Sequence, residues 1–440
     1  AGWEPGDAPM GGEDEEAAAQ PAAAAHSGNI GASERALAVM KPFARIAWEE
    51  CSQPLPDSAG SAAVRWEVYS TWTLLLCLHH AEAERERCLR AGWTPRPWIT
   101  EAQALRHLFL ESRSLRVLTG VLRWLRWAHK CGGGRHGGDL GDDDEVPGNG
   151  SYERTRRALQ QQCALPGPLQ PPLALHPDGP LQHRDLFDPA DLDDEERLLR
   201  CVLRYLRRGD LRGALKACAE GGQPWRTAFL QGMLPFAEDI EGEDAVGYIA
   251  MEDDEDEDVL AAIKEEHTDW TEIGTVDRKG GSDGNPWRRV WKEQCWDVVQ
   301  RQAALRPSSM SATELGIYGF CAGRADALLP ACAGSWADGL WAELHCLKES
   351  LVECLLDVRR AACCAPGYYL GEGDCGIPDP TESAGSRAER RAKLSGALRD
   401  VPEASVESAA QGELRRILGQ FAEAAMVRAA AGVADAPEAR

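Results

Sequence analysis

The side chains best able to do chemistry in this chain are its ten histidines and fifteen cysteines. A zinc site would need them at fixed spacings, C-x-x-C or H-E-x-x-H, so that neighbours converge on one tetrahedral ion. Neither pattern occurs. The nearest approach is the adjacent pair Cys363 and Cys364 with Cys375 eleven residues on, which would need a distant His to complete it. Seven consecutive acids, Glu252 to Asp258, offer oxygen ligands but lack the central glycine of a calcium loop. Gly132, Gly133 and Gly134 suggest a phosphate cradle, yet no G-x-x-x-x-G-K-[ST] follows. Neither a nucleophile elbow nor a dinucleotide fingerprint is set in the strand-to-helix context each requires. The carboxylates fall in polar runs, where perturbed pKa values are not expected. These patterns predict no catalytic, cofactor or metal residue, and no enzyme.

Lys and Arg total 48 against 71 Asp and Glu, a formal net charge of -23. That excess argues against phosphate-backbone binding and favours basic protein partners. Ala1 to Glu16 is polar and acidic, unlike a secretory leader, and no run of eighteen apolar residues predicts a membrane span. The cysteines are expected as free thiols, buried as small hydrophobes in a reducing compartment.

The remaining pattern is helical. Residues 1–30 read as a disordered tail and 33–130 as N-terminal helices. Leu37, Met40, Ile46 and Ala47 give the first apolar stripe, interrupted by Pro42. Ala63 to Ala91 reads as one long helix closed by Gly92. Ile99 to Lys130 carries Leu105, Leu108, Phe109, Leu115, Leu118, Val121, Leu122 and Leu125. Trp124 and Trp127 exceed what one core needs and suggest an interface. A Gly-, acid- and Pro-rich insertion with one short helix occupies 131–180.

The block 181–237 is the most regular. Leu198, Leu199, Val202, Leu203 and Leu206 mark one face, with Arg204, Arg207 and Arg208 toward the negative end of the helix. Gly209 stops that helix and Asp210 caps the next. Gly221 and Gly222 end the second, and Pro224 opens a third, whose buried face is expected to be Trp225, Ala228, Phe229 and Met233. An acidic insertion, 238–283, follows. The block 284–365 begins at Asn285 and Pro286, with Trp287, Val290, Trp291 and Cys295 as the expected face, continued by Val298 and Val299. It continues through Ser335 to Arg359, where Leu340, Leu344, Leu347, Leu351 and Leu355 form a stripe widened by Trp341. A loop, 366–381, and C-terminal helices, 382–440, with a frayed end complete the chain. The architecture predicted is all-α, an irregular helical stack without a fixed repeat length, which presents wide faces to other proteins.

Three blocks resemble the Nup107/Nup84 family of nuclear pore scaffold proteins. They are DDEERLLRCVLRYLRRGDLRGALKACAEGGQPWRTAFLQG (Asp193 to Gly232), GNPWRRVWKEQCW (Gly284 to Trp296) and the segment from Glu314 to Glu353. The matching turn is Gly222, Gln223, Pro224, Trp225 and Arg226, and Pro286, Trp287, Trp291 and Trp336 are further matching positions, read as structural. The resemblance implies an α-solenoid that folds back into a crown and trunk, shared with coat-like proteins. It implies a scaffold role in the outer-ring Y-complex, at the nuclear envelope and peripheral to the membrane, with other Y-complex subunits as partners. In the family the N-terminal part docks crown to crown on a Nup96/Nup145C-like subunit, and the C-terminal helical domain contacts a Nup133-like one. Trp341, Leu344 and Leu351 are the candidate interface residues. The alternative is a helical-repeat adaptor of a vesicle-coat-like complex.

Overall fold

The computed structural model describes residues 31–52, 59–92, 101–132, 152–163, 187–235, 284–285, 287–305, 310–332, 335–363, 389 and 391–434. The N-terminal tail, the acidic run, Cys364, Cys375 and Pro286 lie outside the described residues. The helices, in chain order, are α1 (Ala32–Ser52), α2 (Ala59–Arg90), α3 (Glu101–Glu111), α4 (Arg113–Gly132), α5 (Glu153–Cys163), α6 (Pro189–Arg208) and α7 (Leu211–Glu220). They continue as α8 (Pro224–Gln231), α9 (Arg288–Ala304), α10 (Ala312–Ala322), α11 (Ala325–Ala331), α12 (Trp336–Cys363) and α13 (Val406–Ala434). Among the described residues the sole β pairing is an isolated parallel bridge between Pro235 and Asn285. It ties together the two ends of the acidic insertion.

Three of the turns are built alike. Gly209, Gly222 and Gly323 each sit at positive φ just past a helix, a conformation that costs glycine no Cβ clash. The amide after each reaches back to the carbonyl five residues earlier: Asp210 to Tyr205, Gln223 to Cys218, and Arg324 to Gly319, at 2.8–2.9 Å. That is the Schellman closure, which satisfies orphan carbonyls and turns the chain sharply. The carboxylate of Asp210 then accepts from the Gly213 amide at 2.7 Å to start α7.

One continuous core runs from Ala81 in α2 to Ile417 in α13. The expected faces of α4 and α6 are buried as read. α12 lies at the centre, packed against α3, α4, α11 and α13. From Leu340 to Val352 only Glu343 is more than marginally exposed. A helix enclosed on all sides must bury its polar residues too, and His345, Lys348, Glu349, Ser350 and Glu353 are all buried.

Other expectations need correction. Pro42 lies inside α1 without ending it, and the inward stripe is Leu37, Ala44, Ala47 and Cys51, leaving Ile46 exposed. The region from Ile99 to Lys130 is two helices, broken at Ser112, whose hydroxyl caps α4 by accepting from the Leu115 amide at 3.0 Å. The carboxylate of Glu407, nearly three hundred residues away, accepts from the Ser112 hydroxyl at 2.7 Å and the Ser114 amide at 2.6 Å. Trp124 and Trp127 are engaged internally. Trp127 stacks on Trp66 at 5.4 Å, and the Trp124 indole donates to Ser70 at 2.9 Å.

Candidate functional site

The signature turn is organised around a cation. Pro224 at the first position of α8 fixes the backbone, and the buried face that follows is Gln223, Arg226 and Leu230. Trp225 and Phe229 are half-buried and Ala228 exposed, so within α8 the burial is offset by one residue from the face expected, while Met233 just beyond it is buried as expected. Each edge of the Arg226 guanidinium is used. Its Nε donates to the Gln223 side chain at 2.7 Å, Nη1 to Glu314 at 3.1 Å and Nη2 to Glu195 at 3.3 Å. Burial disfavours its charge, but Glu314 and Glu195 outweigh that and raise its pKa. Tyr152, just before α5, donates to the same Glu195 at 2.9 Å, and burial beside Glu195 pushes its phenol up. Ser311 caps α10 by accepting from the Glu314 amide at 3.1 Å. In a capping box the Glu314 carboxylate would reach back to that cap; here it reaches across to α8 instead.

The apolar half of the turn is Phe229, set 4.8 Å from Tyr318 and 5.4 Å from Trp291. Trp291 lies directly over Gly232, where an added Cβ would meet the indole Cδ1 at 2.6 Å.

The second block is more heavily charged. α9 was expected to bury Trp287, Val290, Trp291 and Cys295. The structure buries Cys295 and Val299 as expected, but with them Arg288, Arg289 and Lys292, while Val290 is exposed and Trp287 is 66 % exposed. Lys292 Nζ donates to Glu349 and Glu353, both at 2.8 Å. Arg288 donates to Glu101 at 2.9 Å and to the Met233 carbonyl at 2.8 Å, and lies 3.5 Å from Glu349. Arg289 donates to Asp357 at 2.6 Å. Desolvation works against each charge, yet the opposite charges dominate. They raise Arg288 and Lys292, and Lys292 and its neighbours hold the Glu349 carboxyl well below the carboxylate range. These carboxylates do not lie in the polar runs where the sequence placed them. Their signal is Glu349 and Glu353, four residues apart on one face of α12.

A third pairing joins α6 to α12. Arg207 is buried, donates to Asp338 at 2.9 Å and to the Leu125 carbonyl at 3.2 Å, and sits 4.8 Å over the Trp341 ring. It does not serve as a solvated cation at a helix end. Burial lowers it to about 10 against the pull of Asp338. Trp341 also stacks near His345, which lies 4.1 Å from Phe320. Burial holds that imidazole at about 4.

The candidate interface residues Trp341, Leu344 and Leu351 are completely buried, so they are core in this fold and offer a partner nothing. Trp336 is 48 % exposed. Among the described residues no group of three His, Cys, Asp or Glu side chains is arranged to hold a metal ion, and no helix is long and apolar enough to cross a membrane. The geometry joins six helices, α3, α6, α8, α9, α10 and α12, through charge pairs and offers rigidity.

Known proteins share this stretch. The chain is 28% identical over 292 residues to the nuclear pore complex protein Nup107 of Rattus norvegicus, an alignment covering 64% of this chain and 26% of that protein. The Homo sapiens protein of the same name is 29% identical over 220 residues, 49% of this chain and 20% of its own length. The Drosophila melanogaster protein is 24% identical over 311 residues, 69% and 32%. The chain thus spans between a fifth and a third of the length of these curated relatives. The family model described as nuclear pore protein 84 / 107 matches residues 67–409, a stretch that takes in all three signature blocks and the charge pairs between them. With well over half of its length matched, the chain belongs to the nuclear pore protein 84 / 107 family.

Proposed function

We propose that this chain is a structural scaffold element of the nuclear pore outer ring, the Y-complex, and supports passage of protein and mRNA without catalysing a reaction. The observation that carries this reading is the coincidence of the family match over residues 67–409 with a continuous helical core that runs from α2 to α13. Stacked helices of this kind resist deformation and present long surfaces. In this reading the protein resides at the nuclear envelope, peripheral to the membrane. Its helices fold back into a crown and trunk, and the crown receives a Nup96/Nup145C-like subunit. A Nup133-like partner is expected only through the family's C-terminal helical domain. Because Trp341, Leu344 and Leu351 are core, we assign the contact to outward residues, led by Trp287 and Trp336. The test is capture with the full chain as bait from nuclear-envelope extract. Recovery of a Nup96-like helical subunit with its Y-complex companions is expected. Recovery of coat or tethering subunits instead would overturn the assignment.

A further inference from the structure

The N-terminal hairpin has two apolar stripes where one suffices. α1 and α2 run antiparallel. Glu86 accepts from Ser33 at one end, Phe43 stacks on Trp72 at 5.2 Å in the middle, and Trp48 meets Tyr69 at 5.2 Å toward the other end. Leu37, Ala44, Ala47 and Cys51 face inward. Val39, Phe43 and Ile46, spaced at four and three residues, form a second stripe that is exposed, and on α2 the exposed Val68 and Val64 stand four and eight residues before the Trp72 on which Phe43 stacks. Scattered exposed apolar residues need no explanation, but a helical stripe continued across two helices marks a contact.

We propose that this stripe is a two-fold interface with a second copy of the same chain, forming an antiparallel four-helix arrangement. The argument is the sequence of α1 read against itself. An antiparallel α1 pair with its dyad between Pro42 and Phe43 sets Val39 opposite Ile46, Phe43 opposite Pro42, and Arg35 opposite Glu50. Apolar residues therefore meet apolar ones at the centre, and opposite charges meet at both rims. Arg35 and Glu50 are both exposed, on the flanks of the stripe. A two-fold contact requires this self-complementarity, since each residue pair occurs twice. α1 begins at residue 32, outside the 67–409 family match, so the contact is not an inherited part of the matched stack.

The test is sedimentation equilibrium of the full chain over a concentration series. Wild type is expected to shift toward twice the 47.9 kDa protomer mass as concentration rises. Val39→Glu is expected to stay monomeric with unchanged circular dichroism. Glu50→Arg should weaken the dimer at least about tenfold, a loss of about 1.4 kcal/mol. The double charge swap Arg35→Glu with Glu50→Arg should restore it. A wild type that remains monomeric throughout, including one whose stripe binds a helix of another protein, overturns the proposal. So does a dimer indifferent to Val39→Glu, or a charge swap without rescue.

Discussion

The N-terminal hairpin and the signature blocks solve the same packing problem with different chemistry. Between α1, α2 and α4 the aromatic contacts are the densest, Trp66 on Trp127, Phe43 on Trp72, and Tyr69 edge-on to Trp127 at 5.2 Å, with Arg116 of α4 also donating to Glu82 of α2 at 2.9 Å. Between α3, α6, α8, α9, α10 and α12 the fixed points are Arg226, Arg288, Lys292 and Arg207, each buried against carboxylates from other parts of the chain. Aromatic surfaces tolerate small shifts, because dispersion is nearly non-directional and ring pairs accept a range of tilts. A buried charge does not, because misplacing it by one turn leaves it unpaired at a cost of several kcal/mol. The comparison therefore separates an adaptable end of the stack from a region whose register is fixed.

Cutting one charge should give the largest effect. Lys292→Met leaves Glu349 and Glu353 buried beside each other without their shared cation, and we expect a loss of about 3–5 kcal/mol in urea unfolding. A loss below about 1 kcal/mol would show that water enters the site and that the network is not fixed. Acid should act next. His345 is held at about 4 against an ordinary value of 6.5. Between those values the unfolded chain binds the extra proton, so stability is full above the higher value and falls as pH drops toward the lower. The share due to His345 is roughly 3 kcal/mol. His129, also held at about 4 by burial and Arg207, adds to the same window. Denaturation across that range with His345→Phe should show a visibly shallower fall; an unchanged slope would remove His345 from the account.

Smaller effects sharpen the contrast. Gly232→Val drives a side chain into the Trp291 indole and should cost about 1–3 kcal/mol through overpacking, read as a lowered melting temperature. Trp287→Ala, at the most exposed of these tryptophans, should change melting by no more than about 0.5 kcal/mol while reducing capture of the Y-complex partner. An equal loss of melting would return Trp287 to a structural role.

Much of the fold was legible because helix ends are local events. Gly209, Gly222 and Gly323 announce their turns, and Leu198 to Leu206 announce a face within nine residues. The charge pairs were not legible, because they are not local. Arg226 and Glu314 are 88 positions apart, and Arg288 and Glu101 are 187. In a helix as short as α8, the large hydrophobes Trp225 and Phe229 attract the assignment of the face. Arg226 is only one residue away, and three acceptors make its burial tolerable. The same bias placed Trp287 inside and Arg288 outside. Trp341, Leu344 and Leu351 were read correctly as one helical stripe, but a stripe does not say whether the core or a partner covers it.

The central claim is that buried charge pairing, rather than the tryptophans, fixes the stack at the signature turn. A double-mutant cycle on Arg226→Met and Glu314→Gln, followed by urea unfolding of all four proteins, tests it most directly. The account predicts a coupling of about 1–3 kcal/mol between the two sites. Additive losses, with a coupling within about 0.5 kcal/mol of zero, would contradict it.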